Sequence, residues 1–274
     1  MPYSSDLPAR GYLPADTFQF AHGYAVVGKQ GTTYEAGDVD RIFNLASVTK
    51  LLTAWSALIA VELQVIDLRA TAGPDGSTLR HLLAHASGTP FEEGNILAKP
   101  GERRNYSNKG IEIVGAAITS RSGVSIEEWI AGQVLDPLGM TSTTVAGSPA
   151  YSGTSTVRDM EKFAAELLHP TLVSTQMANE ATTVQYPGIS GILPGYGRQE
   201  RNDWGLGFEK RKKKKPHWTG TTFSPRTFGH FGQSGSYLWV DPEVRKAGIF
   251  LGAKPFDTEH ARIWPALNDQ MRQL

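Results

Sequence analysis

Residues 43–63 read FNLASVTKLLTAWSALIAVEL, and this stretch decides the fold. From about residue 47 to residue 63, apolar residues occupy almost every face of a predicted helix. A helix that is apolar all round is buried inside a domain, because none of its faces suits water. Ser47 and Lys50 lie three residues apart at its start, so their side chains share one face. The stretch therefore predicts a central buried helix with a polar pair at its N-terminal end.

The segments around this helix predict strands at both chain ends and helices between them. Residues 18–27 are rich in aromatic and β-branched residues and pair with residues 32–36 in a predicted hairpin. Further strands are expected at residues 204–209, 237–240 and 247–252, and helices at 79–86, 110–122, from 125, at 156–168 and at 259–274. The predicted fold class is α/β (α+β), an antiparallel sheet built from both chain ends and flanked by helices.

This alternation also predicts two domains. Residues 1–45 together with residues 200–274 would form an α/β domain, and residues 46–199 would form an inserted, mostly helical domain. The active site is expected at the interface between them.

Composition excludes several classes of protein. The 274 residues include 27 Lys and Arg and 27 Asp and Glu, and this balance argues against a nucleic-acid partner. The absence of cysteine excludes disulfides, Cys-ligated zinc and thiol nucleophiles. The longest apolar run, residues 51–61, is too short to span a membrane. We expect no cofactor and no metal, while the oligomeric state stays open.

The first six residues show no basic region followed by an apolar stretch, so a cytoplasmic location is expected. If a leader has been removed, the location would be periplasmic or extracellular.

Two groups of polar residues could have a binding function, but a structural role is favoured for both. His81 and His85 lie four residues apart on a predicted helix, but no third metal ligand is near them in the sequence. The basic run at residues 210–215 could bind an anionic ligand or a membrane surface. A solvated hairpin tip is favoured instead, because the net charge is zero and no aromatic residue interrupts the run.

The pair Ser47 and Lys50 could perform nucleophilic catalysis. A serine hydroxyl is a weak nucleophile until a base removes its proton, and Lys50 lies one helical turn away. A lysine among apolar residues is desolvated, so its pKa falls towards the range that suits a base. The alternative, a capping serine beside a lysine that reaches solvent, stays open on this spacing alone.

Two further motifs follow in order, Tyr106-Ser107-Asn108 and His230-Phe231-Gly232. Together with Ser-x-x-Lys they resemble the serine β-lactamase and penicillin-binding-protein superfamily. The most similar branch is the class C-like one, which includes D-Ala-D-Ala carboxypeptidases and carboxylesterases. The resemblance covers nearly the whole chain, through the blocks at residues 80–88, 100–108, 137–140, 155–159 and 204–208.

The resemblance implies a role for each site residue. Ser47 would be the acylated nucleophile, and Lys50 its proton-shuttling partner. Tyr106 would be the general base, with a phenol pKa lowered by the neighbouring Lys50 ammonium. Asn108 would orient Lys50 and the substrate. The backbone amides of Ser47 and Gln233 would form the oxyanion hole, and the substrate would be bound by His230, Phe231 and Gly232.

Two departures from the family pattern bear on the substrate. Phe231 stands where the family often has a threonine, so a hydroxyl that binds a substrate carboxylate is missing. The gap of 60 residues between Ser47 and Ser107 is short, which suggests an open pocket. The resemblance thus implies a serine hydrolase that forms an acyl-enzyme from a small-molecule ester, amide or β-lactam, with an esterase-like preference.

Two alternatives to the esterase remain. One is a D-amino-acid peptidase or weak β-lactamase, and the other is a non-catalytic protein that binds a peptide or cell-wall fragment.

Overall fold

A six-stranded antiparallel sheet carries the fold in the computed structural model, which describes residues 18–274. Its strand order is β2-β1-β11-β10-β9-β8, so the strands of the two chain ends pair side by side, β1 with β11. Two small sheets, β3-β5-β4 and β6-β7, lie outside it. The strands are β1 (His22–Gly28), β2 (Gly31–Gly37), β3 (Phe43–Asn44), β4 (Thr144–Val145), β5 (Gly153–Ser155), β6 (Gly191–Leu193), β7 (Gly197–Gln199), β8 (Glu209–Lys210), β9 (Phe228–Gly232), β10 (Ser236–Asp241) and β11 (Lys246–Gly252).

Seven α-helices accompany the sheets in this part of the chain. They are α1 (Thr49–Glu62), α2 (Leu79–Leu83), α3 (Asn108–Ser122), α4 (Ile126–Ile130), α5 (Val157–Leu168), α6 (Thr175–Thr182) and α7 (Thr258–Met271). A short 3-10 turn, Ala46–Val48, precedes α1, and a π-helical turn, Ala131–Leu135, follows α4. None of the helices in residues 18–274 is long and apolar enough to cross a membrane.

Both faces of the large sheet are covered, because side chains along each strand alternate between them. On β10, Tyr237 and Trp239 belong to a core cluster with Trp264 of α7. Leu238 and Val240 belong to the larger cluster, which also contains helices α1 and α5. The predicted mixed fold with an antiparallel sheet built from both chain ends is confirmed. The division into two domains, at residues 45/46 and 199/200, stays a prediction. The first 17 residues of the predicted α/β domain lie outside the described part of the chain.

The predicted strand at residues 204–209 is wrong. Only Glu209–Lys210 forms a strand, because the chain reverses direction just before it. Gly207 adopts a left-handed φ of 83°, the Gly205 amide donates to the Phe208 carbonyl at 2.8 Å, and Trp204 bridges back to Glu209. The glycines that make this turn were read as part of a strand. Helix α6 and the hairpin β6–β7 were not predicted.

The prediction that the basic run at residues 210–215 is a solvated hairpin tip is only partly correct. Lys210, Arg211 and Lys214 are buried, whereas Lys213 and Lys215 are exposed. The Lys214 ammonium donates to the Glu209 carboxylate at 2.6 Å, and Lys210 donates to the Arg226 carbonyl at 2.8 Å. Half of the run is therefore structural, since buried cations require acceptors.

Candidate active site

Ser47 lies in the 3-10 turn that leads into α1, and it is partly exposed. The residue before it, Ala46, has a left-handed φ of 44°, which is uncommon for a residue with a Cβ. Such local strain is found where the surrounding structure holds a functional side chain in place. The turn presents the Ser47 hydroxyl at the surface while α1 itself is buried.

Lys50 is fully buried and makes three contacts through its Nζ atom. Nζ lies 3.2 Å from the Ser47 Oγ, and it donates to the Asn108 Oδ1 at 2.7 Å and to the Ala150 carbonyl at 2.9 Å. A neutral amine has two N–H groups and one lone pair. When Lys50 is neutral, the two carbonyl oxygens can accept both N–H groups, and the lone pair is then free for the proton of the Ser47 hydroxyl.

Burial lowers the pKa of Lys50 well below its ordinary value. The charge of Glu112 raises that pKa and offsets part of the effect. Glu112 is linked to the site through Ser148, whose hydroxyl donates to the carboxylate at 2.8 Å and accepts from the Ala150 amide at 3.2 Å. Because the effect of burial is larger than that of Glu112, the neutral form of Lys50, which can accept a proton, is favoured.

Tyr106 and Asn108 reach the same space from the start of α3. Ser107 caps this helix, since its hydroxyl accepts from the Gly110 amide at 2.8 Å. Ser107 itself is extended, so the side chains on either side of it point in a common direction. The Lys50 Nζ lies 4.7 Å from the centre of the Tyr106 ring. The structure thus brings Ser47, Lys50, Tyr106 and Asn108 together.

The expectation for the Tyr106 pKa is wrong. Burial raises the pKa of this phenol, and an interaction with the Ser47 hydroxyl lowers it only in part. Lys50 faces the ring rather than stabilising a phenolate, and burial disfavours its own charge. The resting site therefore pairs a neutral phenol with an amine of lowered pKa, which makes Lys50 the better proton acceptor.

Strand β9 approaches the serine from the other side. A Cβ placed on Gly232 would lie 2.4 Å from the Leu45 carbonyl oxygen and 3.1 Å from the Ser47 amide nitrogen. Only glycine fits such an approach, and it brings the backbone of residues 232–233 next to the Ser47 amide. This position is compatible with the expected oxyanion hole of the Ser47 and Gln233 amides.

His230 faces Tyr106, with ring centres 5.6 Å apart. Its Nδ1 donates to the Phe231 carbonyl at 2.6 Å, which leaves Nε2 as the bare acceptor. Burial and the nearby Lys50 charge lower the pKa of His230 to about 3. The motif His230-Phe231-Gly232 therefore contributes a neutral imidazole, not a positive charge, to the site.

Phe231 does not lie where the sequence analysis placed it. Its side chain is 7% exposed and packs in the α7 cluster, with its ring centre 5.1 Å from that of Phe256 and 6.1 Å from that of Trp264. Neighbouring residues of a strand point to opposite faces, so His230 and Gly232 face the serine while Phe231 faces away. The structure does not support a substrate contact by its ring.

An apolar cleft of about 560 Å³ opens beside Tyr106. Phe91 and Leu97 line it from one loop, and Ile192 and Pro194 line it from the β6 hairpin. The loop is fixed to the start of α3, because the Ser107 hydroxyl donates to the Pro90 carbonyl at 2.6 Å. None of these residues was singled out from the sequence, since their proximity depends on how distant segments pack.

Arg104 fixes the backbone of this region and was also missed. Its buried guanidinium donates to the carbonyl oxygens of Ala84, Gln185 and Asn202 at 2.5, 2.8 and 2.9 Å. It thus ties the segment before Tyr106 to the segments that wall the cleft. A buried arginine with so many acceptors holds several chain segments in one arrangement.

The two histidines considered as a metal pair have separate surroundings. His81 bonds to Thr78 and stacks on Tyr186 with ring centres 4.4 Å apart, while the buried His85 packs 4.7 Å from the Tyr106 ring centre. Among residues 18–274 there is no group of three acidic or histidine side chains that could hold a metal ion.

Comparison with known proteins establishes the family. The model of the Beta-lactamase family matches residues 14–271, so the chain belongs to this family. A β-lactamase crystal structure from Mycobacterium bovis has a TM-score of 0.91 and 48% identity, over 93% of this chain and 95% of the other. No curated protein matches the chain.

Two more distant structures share the fold alone. EstCE1, a hydrolase with promiscuous acyltransferase activity, has a TM-score of 0.78 and 15% identity over 94% of this chain and 95% of its own. An octameric penicillin-binding-protein homologue from Pyrococcus abyssi has a TM-score of 0.72 and 20% identity over 89% and 72%. Membership of the Beta-lactamase family supports a function within the serine hydrolase superfamily.

Proposed function

We propose that the protein is a serine hydrolase that forms an acyl-enzyme at Ser47 from an ester or amide. One observation carries the proposal: the Lys50 Nζ has two carbonyl acceptors and the Ser47 Oγ as its third neighbour, at 3.2 Å. An amine held in this way accepts the proton of the hydroxyl without any rearrangement. A solvent-exposed lysine beside a capping serine has no such arrangement.

The proton moves in a closed cycle. Ser47 Oγ bonds to the substrate carbonyl carbon while its proton passes to Lys50, and the backbone amides of Ser47 and Gln233 hold the oxyanion. The bond to the leaving group then breaks, and the neutral Tyr106 phenol donates its proton to that group. The Lys50 ammonium returns a proton to Tyr106, and water releases the acyl group by the reverse steps.

An ester preference follows from the surroundings of the site. The cleft beside Tyr106 is mainly apolar, with Arg103 and Arg198 among its lining residues, and the neutral His230 provides no charge for a carboxylate next to the reacting carbonyl. Phe231 does not contribute to this preference, because its ring packs against Phe256 and Trp264. β-Lactam hydrolysis is the second candidate, favoured by the 48% identity to the Mycobacterium bovis β-lactamase.

A comparison of substrates tests both proposals. We expect wild-type protein to hydrolyse p-nitrophenyl acetate with a higher kcat/KM than a chromogenic cephalosporin, and Ser47→Ala to lose both activities. A higher kcat/KM for the cephalosporin would reverse the preference and keep the acyl-enzyme. Turnover that persists in Ser47→Ala, or is absent from wild type, contradicts the proposal that the protein is a serine hydrolase acting through Ser47.

A further inference from the structure

The apolar cleft beside Tyr106 has a second cavity, of about 810 Å³, next to it, and Arg198 lines both. Arg198 belongs to β7 and lines both spaces, with an exposed side chain. The second cavity lies between the β6–β7 segment and the basic run. A ligand in the cleft that is long enough to extend past Arg198 would reach this cavity.

The second cavity carries excess positive charge. Within residues 18–274, five of its lining cations form no ion pair: Arg198, Arg201, Lys212, Lys213 and Lys215. Only Glu200 and Asp203 oppose them, and Asp203 interacts electrostatically with the buried Arg104. In a chain of zero net charge, this local excess favours an anionic ligand.

The cleft beside Tyr106, in contrast to the basic second cavity, is mainly apolar. Eight large apolar side chains are exposed in the described part of the chain, and three of them line this cleft. They are Phe91 (51% exposed), Leu97 (49%) and Ile192 (64%). Exposed apolar side chains that gather in a cleft beside Tyr106 indicate a binding surface for an apolar group.

We propose that the natural leaving group is an amphipathic anion: an alkyl or aryl portion lies in the cleft, and a terminal carboxylate or phosphate binds Arg198 and the neighbouring lysines. The proposal rests on the proposed function, because Tyr106 donates its proton to the leaving group and also lines the cleft. Arginine suits either end group, since its planar guanidinium binds two oxygens at once. The charge lies at the far end of the substrate, away from the neutral His230.

The test uses acetate esters that differ only in the leaving group. An ω-acetoxyalkanoate is compared with its methyl ester, and an ω-acetoxyalkyl phosphate is compared with its neutral alcohol, by acetate release. We expect kcat/KM to be about tenfold higher for an anionic ester of sufficient chain length, mainly through KM. This preference should shrink at high ionic strength and should vanish in the shortest chain.

Matched variants locate the effect. Arg198→Gln should remove most of the preference, whereas Arg121→Gln, which changes an exposed arginine in a separate cavity, should keep it. The larger of the two preferences identifies the carboxylate or the phosphate. Equal kcat/KM for charged and neutral esters, or an unchanged preference in Arg198→Gln, overturns the inference.

The two proposals fail in different ways. Hydrolysis of neutral esters that depends on Ser47, without any preference for anions, refutes the amphipathic leaving group alone. The absence of any hydrolysis that depends on Ser47 refutes the hydrolase, and the leaving-group inference with it.

Discussion

Glu112 is the acid whose charge acts on Lys50, from one helical turn beyond Asn108. Its negative charge raises the pKa of Lys50 against the larger lowering by burial. Lys50 accepts the Ser47 proton only in its neutral form, so activity should be lost as the pH falls through the pKa of Lys50. Removing the Glu112 charge lowers this pKa further.

We therefore predict that Glu112→Gln moves the acidic limb of the kcat/KM profile for p-nitrophenyl acetate to lower pH. The control is Glu243→Gln, which neutralises an exposed carboxylate in the β10–β11 turn and should leave the limb in place. If Lys50 acts as an ammonium instead, its titration gives the basic limb of the profile, so Glu112→Gln would move the basic limb to lower pH and leave the acidic limb in place.

Lys50 and Tyr106 should behave as one proton-transfer unit, because each handles the same proton in successive steps. Lys50→Ala and Tyr106→Phe are each expected to reduce kcat by about 100-fold or more. Their combination should cost little beyond the larger single loss. Independent action, with the double loss equal to the product of the single losses, would contradict the cycle.

At the level of elements, full catalytic activity should require the close approach of β9 to the 3-10 turn Ala46–Val48. An added methyl group on Gly232 meets the backbone at Leu45, which cannot move aside as a side chain can. We predict that Gly232→Ala lowers kcat by about 10-fold or more, since it displaces one donor of the oxyanion hole. The measurement is kcat together with the free energy of unfolding.

Gly132→Ala provides the matched control, because a Cβ at that position meets nothing within 4 Å. It should leave kcat unchanged. If Gly232→Ala retains full activity, β9 does not contribute to the oxyanion hole.

The sequence predicts most elements but not how they face one another. Helix α3 and its serine cap follow from local signals, as does the buried helix α1. The predicted strands do not include β9 (Phe228–Gly232), and Phe231 is assigned to the substrate together with its two neighbours. Because neighbouring residues of a strand point to opposite faces, His230 and Phe231 cannot share a face.

Other features could not be read from the sequence. The left-handed Ala46 and the cleft between Phe91 and Ile192 arise from contacts between distant segments. The raised pKa of Tyr106 depends on its burial, which only the assembled fold reveals. The motif thus predicts which residues meet, while the tertiary structure determines their protonation.

At the level of the whole molecule, a buried ionic cluster closes the end of the large sheet. Glu209 of β8 accepts from Lys214 at 2.6 Å and from the Trp218 indole at 2.5 Å, and its carboxylate lies 2.9 Å from His217. Burial alone would raise the pKa of Glu209, but Lys214 and His217 outweigh it, so the pKa lies below its ordinary range.

We predict that Glu209→Gln lowers the free energy of unfolding by about 3–5 kcal/mol at neutral pH, because Lys214 loses its buried partner. The carboxylate stabilises the fold above its unfolded pKa of about 4.3, and this contribution is lost as the pH falls towards the lower folded value. Denaturant unfolding across the acidic range should therefore show a shallower decline in the variant. The exposed Glu200→Gln should change stability by less than about 0.5 kcal/mol.

Acylation of Ser47 is the step on which the proposed hydrolysis depends, and trapping the acyl-enzyme tests it. The protein is mixed with a p-nitrophenyl ester or a penicillin and quenched in acid, and the adduct is located by intact mass and peptide mapping. We expect one acyl group per chain, on Ser47, and none in Ser47→Ala. An adduct on another residue, or equal labelling of Ser47→Ala, would contradict it.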